Sequence, residues 1–127
     1  MDKILAEDVM TPSTVMQTFH KDETIEDVIQ KYSPIPFSRI PIIDESLDDV
    51  IGVVFRSKIM AMSNEGVTDK RMGELASNLS TVHPEDSVAT ILDEFLKKKE
   101  HIFLVVDEHG ATQGIITLED SIERKAT

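Results

Sequence analysis

Apolar residues recur at helical spacing in two windows of this chain: Ile25, Val28, Ile29 and Tyr32, then Val88, Ile91, Leu92 and Phe95. Steps of three and four residues put each set on one helix face. Thr24 and Ser87 stand at the N-cap positions, with Asp27 and Thr90 three residues later; Asp27 is only a weak capping-box partner. Each helix is preceded by a short extended piece (residues 14–19 and 80–83) and followed by an apolar strand (40–43 and 102–106). A polar turn (44–49 and 107–112), a second strand (50–55 and 113–117) and a closing helix (57–62 and 119–124) complete each series. The strands lack polar alternation, which predicts small sheets covered on both faces.

The two series are an internal repeat. Residues 19–32 laid over 82–95 keep one offset of 63, so that His20 meets His83, Ile25 meets Val88 and Tyr32 meets Phe95. The offset continues through RIPIIDE and IFLVVDE; one residue is then lost, and Gly52-Val53-Val54 meets Gly114-Ile115-Ile116. The expected fold class is α+β, two pseudo-symmetric β-α-β-β-α repeats packed sheet to sheet. The first repeat is placed at residues 5–64 and the second at 65–127, together one module, with the polar stretch 63–71 as the linker. A copy of about 60 residues buries too little surface to be comfortable alone.

Composition narrows the function classes. The 127 residues include no Cys, which removes disulfides, thiol nucleophiles and thiolate metal sites. Thirteen basic against 24 acidic residues give a net charge of -11, which opposes binding to a nucleic-acid backbone. No apolar run is long enough to span a bilayer, and the acidic start lacks a signal-peptide pattern. Ser57, Ser87 and Ser121 have no apparent His-Asp partners, and no P-loop or nucleophile-elbow string occurs, so no enzyme is read here and no catalytic residue is assigned.

The sharpest local signal is Gly114-Ile115-Ile116-Thr117-Leu118-Glu119-Asp120. Gly114 permits close backbone approach, Thr117 ends a strand, and Glu119 and Asp120 begin a helix. One reading is an oxygen-rich ligand at the helix start, with Asp120 accepting ribose hydroxyls. The other is structural: Thr117 caps the helix and the two acids favour its dipole. Elsewhere, His20 and His83 suit a shared turn role better than a metal pair. The acidic loop of Asp44, Glu45, Asp48 and Asp49 reads as a solvated turn, lacking EF-hand spacing. The run of Lys97, Lys98 and Lys99 suits a helix C-terminus, and Met60 and Met62 extend an apolar helix stripe.

The doubled unit, with Gly114, Thr117 and Asp120 closing a copy, resembles the cystathionine-β-synthase (CBS) domain pair, or Bateman module, over residues 5–124. Three strings, EDVMTP, FSRIPIIDESLDDVIGVV and HIFLVVDEHGATQGIITLED, are similar to the CorC/HlyC (cyclin-M-like) branch of magnesium and cobalt efflux proteins. The resemblance implies a cytoplasmic regulatory module beside the membrane transporter domain of an inner-membrane parent chain, and hence a segment of a longer protein. It implies an adenosine nucleotide (AMP, ADP or ATP, with or without Mg²⁺) bound between the repeats. Asp120 would hold the ribose, Thr117 would contact ribose or phosphate, and Glu119 would sit near the phosphates or their Mg²⁺. Phe37, Ser38, Arg39, Ile40 and Pro41 would line the base and phosphate side, and Thr11 would approach from Met-Thr-Pro. In the first repeat Phe55 replaces Thr117 and Lys58 replaces Asp120, so one nucleotide per chain is expected. The alternative is a structural module with a vestigial pocket, forming a homodimer through helices whose exposed apolar positions include Ile59, Met60 and Ile122.

Overall fold

Thr24 and Ser87 do start helices. In a computed structural model of the chain, which describes residues 3–126 with side chains as far as Ile122, the Thr24 Oγ1 accepts the Asp27 N–H at 3.1 Å and the Asp27 carboxylate accepts the Thr24 N–H at 2.9 Å. Asp27 therefore completes a full capping box, stronger than its short side chain suggested. Ser87 caps the later helix through the Thr90 N–H. Residues 1, 2 and 127, the last within the second predicted repeat, lie outside the described residues.

In chain order the elements are α1 (Ala6–Val9), β1 (Thr11–Pro12), a 3-10 turn (Ser13–Val15), β2 (Phe19–His20), α2 (Ile25–Lys31), β3 (Arg39–Ile43), β4 (Val50–Phe55) and α3 (Arg56–Asn64). Then follow α4 (Met72–Leu75), β5 (Thr81–Val82), α5 (Val88–Lys98), β6 (Ile102–Val106), β7 (Thr112–Thr117) and α6 (Leu118–Ala126). The extended piece expected at residues 14–19 is in fact a 3-10 turn and a two-residue strand. The chain folds as two compact units, Gln17–Asn78 and Met1–Met16 with Leu79–Thr127. These are cut differently from the linear repeats, because each repeat is preceded by a lead segment that packs on the sheet of the other.

The unit of Gln17–Asn78 holds a three-stranded sheet in the order β2-β3-β4, with β2 parallel and β4 antiparallel to β3. Ile25 and Val28 from the predicted stripe pack with Phe19, Ile35, Ile40, Ile42, Val54, Ile59, Met72 and Leu75. The other unit holds a four-stranded sheet, β1-β7-β6-β5, with β5 parallel and β7 antiparallel to β6. Its core joins Ala6, Val82, Ile91, Phe95, Phe103, Val105 and Ile116. Residues Ile102 to Val105 of β6 are buried in succession, hence on both strand faces, as the missing alternation predicted.

The lead segments make the repeat longer than the offsets of 63 and 62 revealed. Leu5 to Thr11 corresponds to Arg71 to Ser77 at an offset of 66. The Leu5 N–H donates to Asp8 and the Arg71 N–H to Glu74, each at 2.9 Å, opening the four-residue helices α1 and α4. The Ala6 N–H reaches the Asp86 carbonyl and the Met72 N–H the Glu23 carbonyl, each at 2.8 Å. Thr11 then pairs with β7, while Ser77 exchanges both backbone hydrogen bonds with Val53 on β4. The three residues by which the offset falls to 63 are matched by the 3-10 turn Ser13–Val15.

The residue lost between β6 and β7 leaves a tight turn built on Asp107. Its carboxylate accepts the His109 and Ala111 N–H groups, each at 2.9 Å, and Gly110 supplies φ +83°. The Ala111 N–H, with help from that of His109, holds the Asp107 carboxyl below the ordinary carboxylate range. A depressed folded-state pKa stabilises above the unfolded value, near 3.9, and that stabilisation disappears as pH falls through the folded value. Asp107→Ala is therefore expected to lower Tm at pH 7, with the gap to wild type narrowing once the pH drops below about 4. Melting curves at pH 7 and pH 2.5 check this; a gap that does not narrow contradicts it.

Candidate functional site

The corner where β7 turns into α6 is held by three short bonds. The Thr117 Oγ1 accepts the Asp120 N–H at 3.2 Å, the Ser121 hydroxyl donates to the Thr117 carbonyl at 3.1 Å, and the Leu118 N–H donates to the His101 carbonyl at 2.9 Å. The capping reading of Thr117 is thus realised, and it leaves the hydroxyl hydrogen free to point at a ligand. Thr117 and Asp120 are half-buried, and Glu119 is exposed. Among the described residues the Asp120 carboxylate makes no hydrogen bond or ion pair. It keeps acceptor capacity for a pair of hydroxyls, and a carboxylate held half-buried with that capacity suits a ribose.

Thr11 is brought to the same sheet by β1, opposite Ile115. Gly114 makes that approach possible: a Cβ there would collide with the Thr11 carbonyl oxygen and meet the Met10 Sδ at 3.0 Å. Thr11 and Thr117 consequently end up on neighbouring strands, Thr11 opposite Ile115 and Thr117 two residues further along β7.

Phe37, Ser38, Arg39, Ile40 and Pro41 belong to the other unit. Ile40 lies wholly within its core, Pro41 is buried, and Phe37 packs edge-on against Tyr32 at 5.8 Å. Ser38 and Arg39 instead line a hollow of about 210 Å³ together with Phe55, Arg56, Ser57 and Met60. Arg39 stands opposite Phe55 in the β3–β4 ladder, and its guanidinium carbon lies 5.9 Å from the ring centroid. Its Nε is buried with no hydrogen-bond partner among the described residues, which costs about 1–3 kcal/mol. The Arg56 Nη1 donates to the Ile35 carbonyl at 3.0 Å, and the Arg56 N–H to the Ser38 carbonyl at 2.9 Å. Arg56 escaped the sequence reading, and Ser57 was weighed there only as a nucleophile. The signal was present, since the offset of 62 sets Arg56 against apolar Leu118, and a cation at that position calls for a reason.

Among the remaining candidates, His20, His83 and Asp44 take part in turns and an ion pair. The His20 and His83 N–H groups donate to Glu23 and Asp86, each at 2.9 Å, and the His20 Nδ1 accepts the Asp22 N–H, so the two histidines share a turn. Asp44 is paired with Lys21 at 3.1 Å, a contact that raises the Lys21 pKa. Among the described residues no group of three or more His, Asp or Glu side chains gathers to hold a metal ion, and no helix is long and apolar enough to cross a membrane. Ile59, expected on the surface, is fully buried in the core, whereas Met60 and Ile122 are exposed. The inner face of α3 is set by Ile59 and Met62, three residues apart, so Met60 must turn outward.

The chain is similar to known proteins of one family. The profile of the CBS domain matches residues 6–65 and again 72–120. The UPF0053 protein sll1254 of Synechocystis sp. is 30% identical over 123 residues, covering 97% of this chain and 36% of that protein. The magnesium and cobalt efflux protein CorC of Salmonella typhimurium is 25% identical over 116 residues, covering 91% of this chain and 40% of CorC. The chain thus spans little more than a third of the length of these relatives. Among solved structures, the CBS domain of a bacterial CNNM/CorC family Mg²⁺ transporter in complex with ATP superposes with a TM-score of 0.88 at 28% identity, covering 97% of this chain and 87% of that one. The α+β architecture of two small sheets with helices is the one those structures have.

Proposed function

We propose, for a chain that belongs to the CBS-domain family, that the corner of residues 117–120 binds the ribose of an adenosine nucleotide and that occupancy regulates an attached membrane transporter of magnesium or cobalt. The observation that carries this is the corner itself: a half-buried, unpaired Asp120 carboxylate beside a Thr117 hydroxyl whose acceptor role is already filled by the helix. The ATP complex of the similar transporter CBS domain supports the ligand class. In this reading Asp120 accepts the ribose hydroxyls, Thr117 donates to ribose or phosphate, and Thr11 borders the ligand from β1. Phe37, Ser38, Arg39, Ile40 and Pro41 take the base and phosphate side, with Ser38 and Arg39 making the side-chain contacts and buried Ile40 and Pro41 shaping the backbone. Mg²⁺ in this reading arrives with the phosphates beside Glu119. The role is regulatory, not catalytic, in a cytoplasmic module of an inner-membrane protein. A nucleotide regulates only through a difference in affinity between two arrangements of the protein.

Thermal melting with AMP, ADP or ATP, with and without Mg²⁺, tests the reading. At 100 times Kd one bound ligand adds about 2.7 kcal/mol, a shift of several degrees. Asp120→Ala is expected to abolish that shift while leaving the ligand-free Tm nearly unchanged, because the Thr117 cap uses the Asp120 backbone N–H, not its carboxylate. A mutant that still responds fully sinks the ribose assignment. A second reading, a homodimerising structural module, is favoured by exposed Met60 and Ile122, which occupy matching repeat positions on α3 and α6. It gains if no adenosine nucleotide shifts Tm at millimolar concentration while light scattering shows a dimer that Met60→Glu dissociates.

A further inference from the structure

We infer that the outer edge of β4 at Val50 and Ile51, with Leu47 on the turn before it, is a docking site for an extended, basic and apolar segment of a partner protein. This goes beyond the nucleotide reading, and none of the residues assigned there takes part. The two repeats treat the same edge differently. In the second, Thr11 stands opposite Ile115 and Pro12 opposite Gly114, and the 3-10 turn Ser13–Val15 that follows packs against β7. In the first, Ser77 meets Val53 in a single bridge. The chain then reaches β5 without a counterpart of that turn, because the offset has fallen by the three residues that form it. Among the described residues, no backbone hydrogen bond outside the β3–β4 ladder reaches Val50 or Ile51. Ile51 is also the residue that the ladder passes over, since Ile42 faces Gly52 and Ile43 faces Val50. A bare outer strand of this kind is a template for an incoming chain.

The residue types run against the exposure. On the covered edge stands Gln113, whose amide bonds the Asp107 carboxylate at 3.3 Å; at the matching position of the bare edge stands Ile51, 47% exposed. Solvent alone favours the reverse. Leu47, four residues earlier, is exposed as well, so the bare edge gathers apolar surface. The neighbouring charge sets the occupant. The turn between β3 and β4 carries Asp44, Glu45, Asp48 and Asp49, and Lys21 answers Asp44 at 3.1 Å. A second copy of this chain pairing edge to edge would bring its own four carboxylates to the same short edge, where like charges repel. A segment that alternates lysine or arginine with valine, isoleucine or leucine brings the opposite charge to the turn, and its apolar side chains cover Ile51 and Leu47.

NMR titration of the 127-residue protein with a capped heptapeptide of alternating lysine and valine tests this. Saturable shifts are expected at the amides of Asp49, Val50 and Ile51, with affinity falling as salt rises. Ile51→Gln installs the residue type of the covered edge at an exposed position. It should leave the ligand-free Tm nearly unchanged and lower peptide affinity about fivefold or more, the worth of covering half an isoleucine. Asp49→Asn combined with Glu45→Gln should weaken binding about threefold and flatten its salt dependence. Leu96→Gln, which removes an exposed leucine away from this edge, should change nothing, and a heptapeptide of alternating glutamate and valine should not bind. Equal binding of the two peptides, shifts centred on acidic residues elsewhere, equal loss in Ile51→Gln and Leu96→Gln, or no shift at millimolar peptide overturns the inference. So does a dimer in light scattering that Ile51→Gln dissociates, which gives the edge to a second copy. The nucleotide-induced melting shift of Ile51→Gln should match that of wild type, which keeps this test separate from that of Asp120→Ala.

Discussion

Phe103→Ala is expected to destabilise this protein by about 3–5 kcal/mol, the range for deleting a fully buried aromatic ring. Phe103 has no exposed surface and stacks on Phe95 with ring centroids 4.2 Å apart and planes within 5°. Its strand, β6, lies between β7 and β5, so the sheet is anchored on both sides of the hole and cannot collapse into it. The Lys98 ammonium, 5.7 Å from the ring centroid, loses its aromatic contact as well. For a chain of this length the loss corresponds to a fall in Tm on the order of 10 °C. Phe103→Leu, which keeps most of the volume, should cost markedly less. Urea denaturation measures both, and a loss under about 1 kcal/mol for the alanine variant would mean that the stacked pair is not the centre of its core.

Gly114→Val comes next and couples stability to the site. The added Cβ would strike the Thr11 carbonyl oxygen within the β1–β7 pair, where Pro12 stands opposite Gly114. Neither side is a flexible side-chain end, so β1 must leave β7, at about 2–4 kcal/mol. Thr11 moves with it, and a nucleotide-induced melting shift should weaken together with the fold. Gly110→Ala is the control. Its φ of +83° makes the substitution strained, but open space surrounds it, so it should cost about 1 kcal/mol and leave the ligand response intact. Equal ligand responses in the two variants would separate Thr11 from the site. Amide exchange at Ile115 reports directly whether β1 has detached.

Much of the fold was legible because the signals are local and repeated. The stripes ending in Tyr32 and Phe95, the caps at Thr24 and Ser87, and the unbroken apolar strands each predict their element, and the duplicated order supports every one of them. The lead segments were not legible. A four-residue helix completes barely one turn, so α1 and α4 show no period, and their pairing with β7 and β4 is settled by contacts far apart in sequence. The corner at residues 117–120 was legible as a helix start from its residue types, since Thr suits an N-cap and Glu and Asp the first turn, whereas only the resemblance favoured a ligand role there. Arg56 was not, because a charged residue on a short helix ordinarily faces water. The offset that sets it against apolar Leu118 and the shared hollow with Arg39 distinguish it. Ile59 was misplaced for a related reason: in so short a helix, one position of rotation decides which apolar residue turns inward.

The lead segment also constrains the order in which the chain is completed during synthesis. Everything the Gln17–Asn78 unit needs is contiguous, so it can close as soon as its last residues leave the ribosome. Residues 3–12 emerge before it, yet the carbonyls and amides they bond belong to Pro84, Asp86 and β7. Residues 3–12 therefore find these partners only after β7 has been translated. A nascent chain arrested after Asn78 would hold every residue of the Gln17–Asn78 unit while residues 3–12 still lacked their partners.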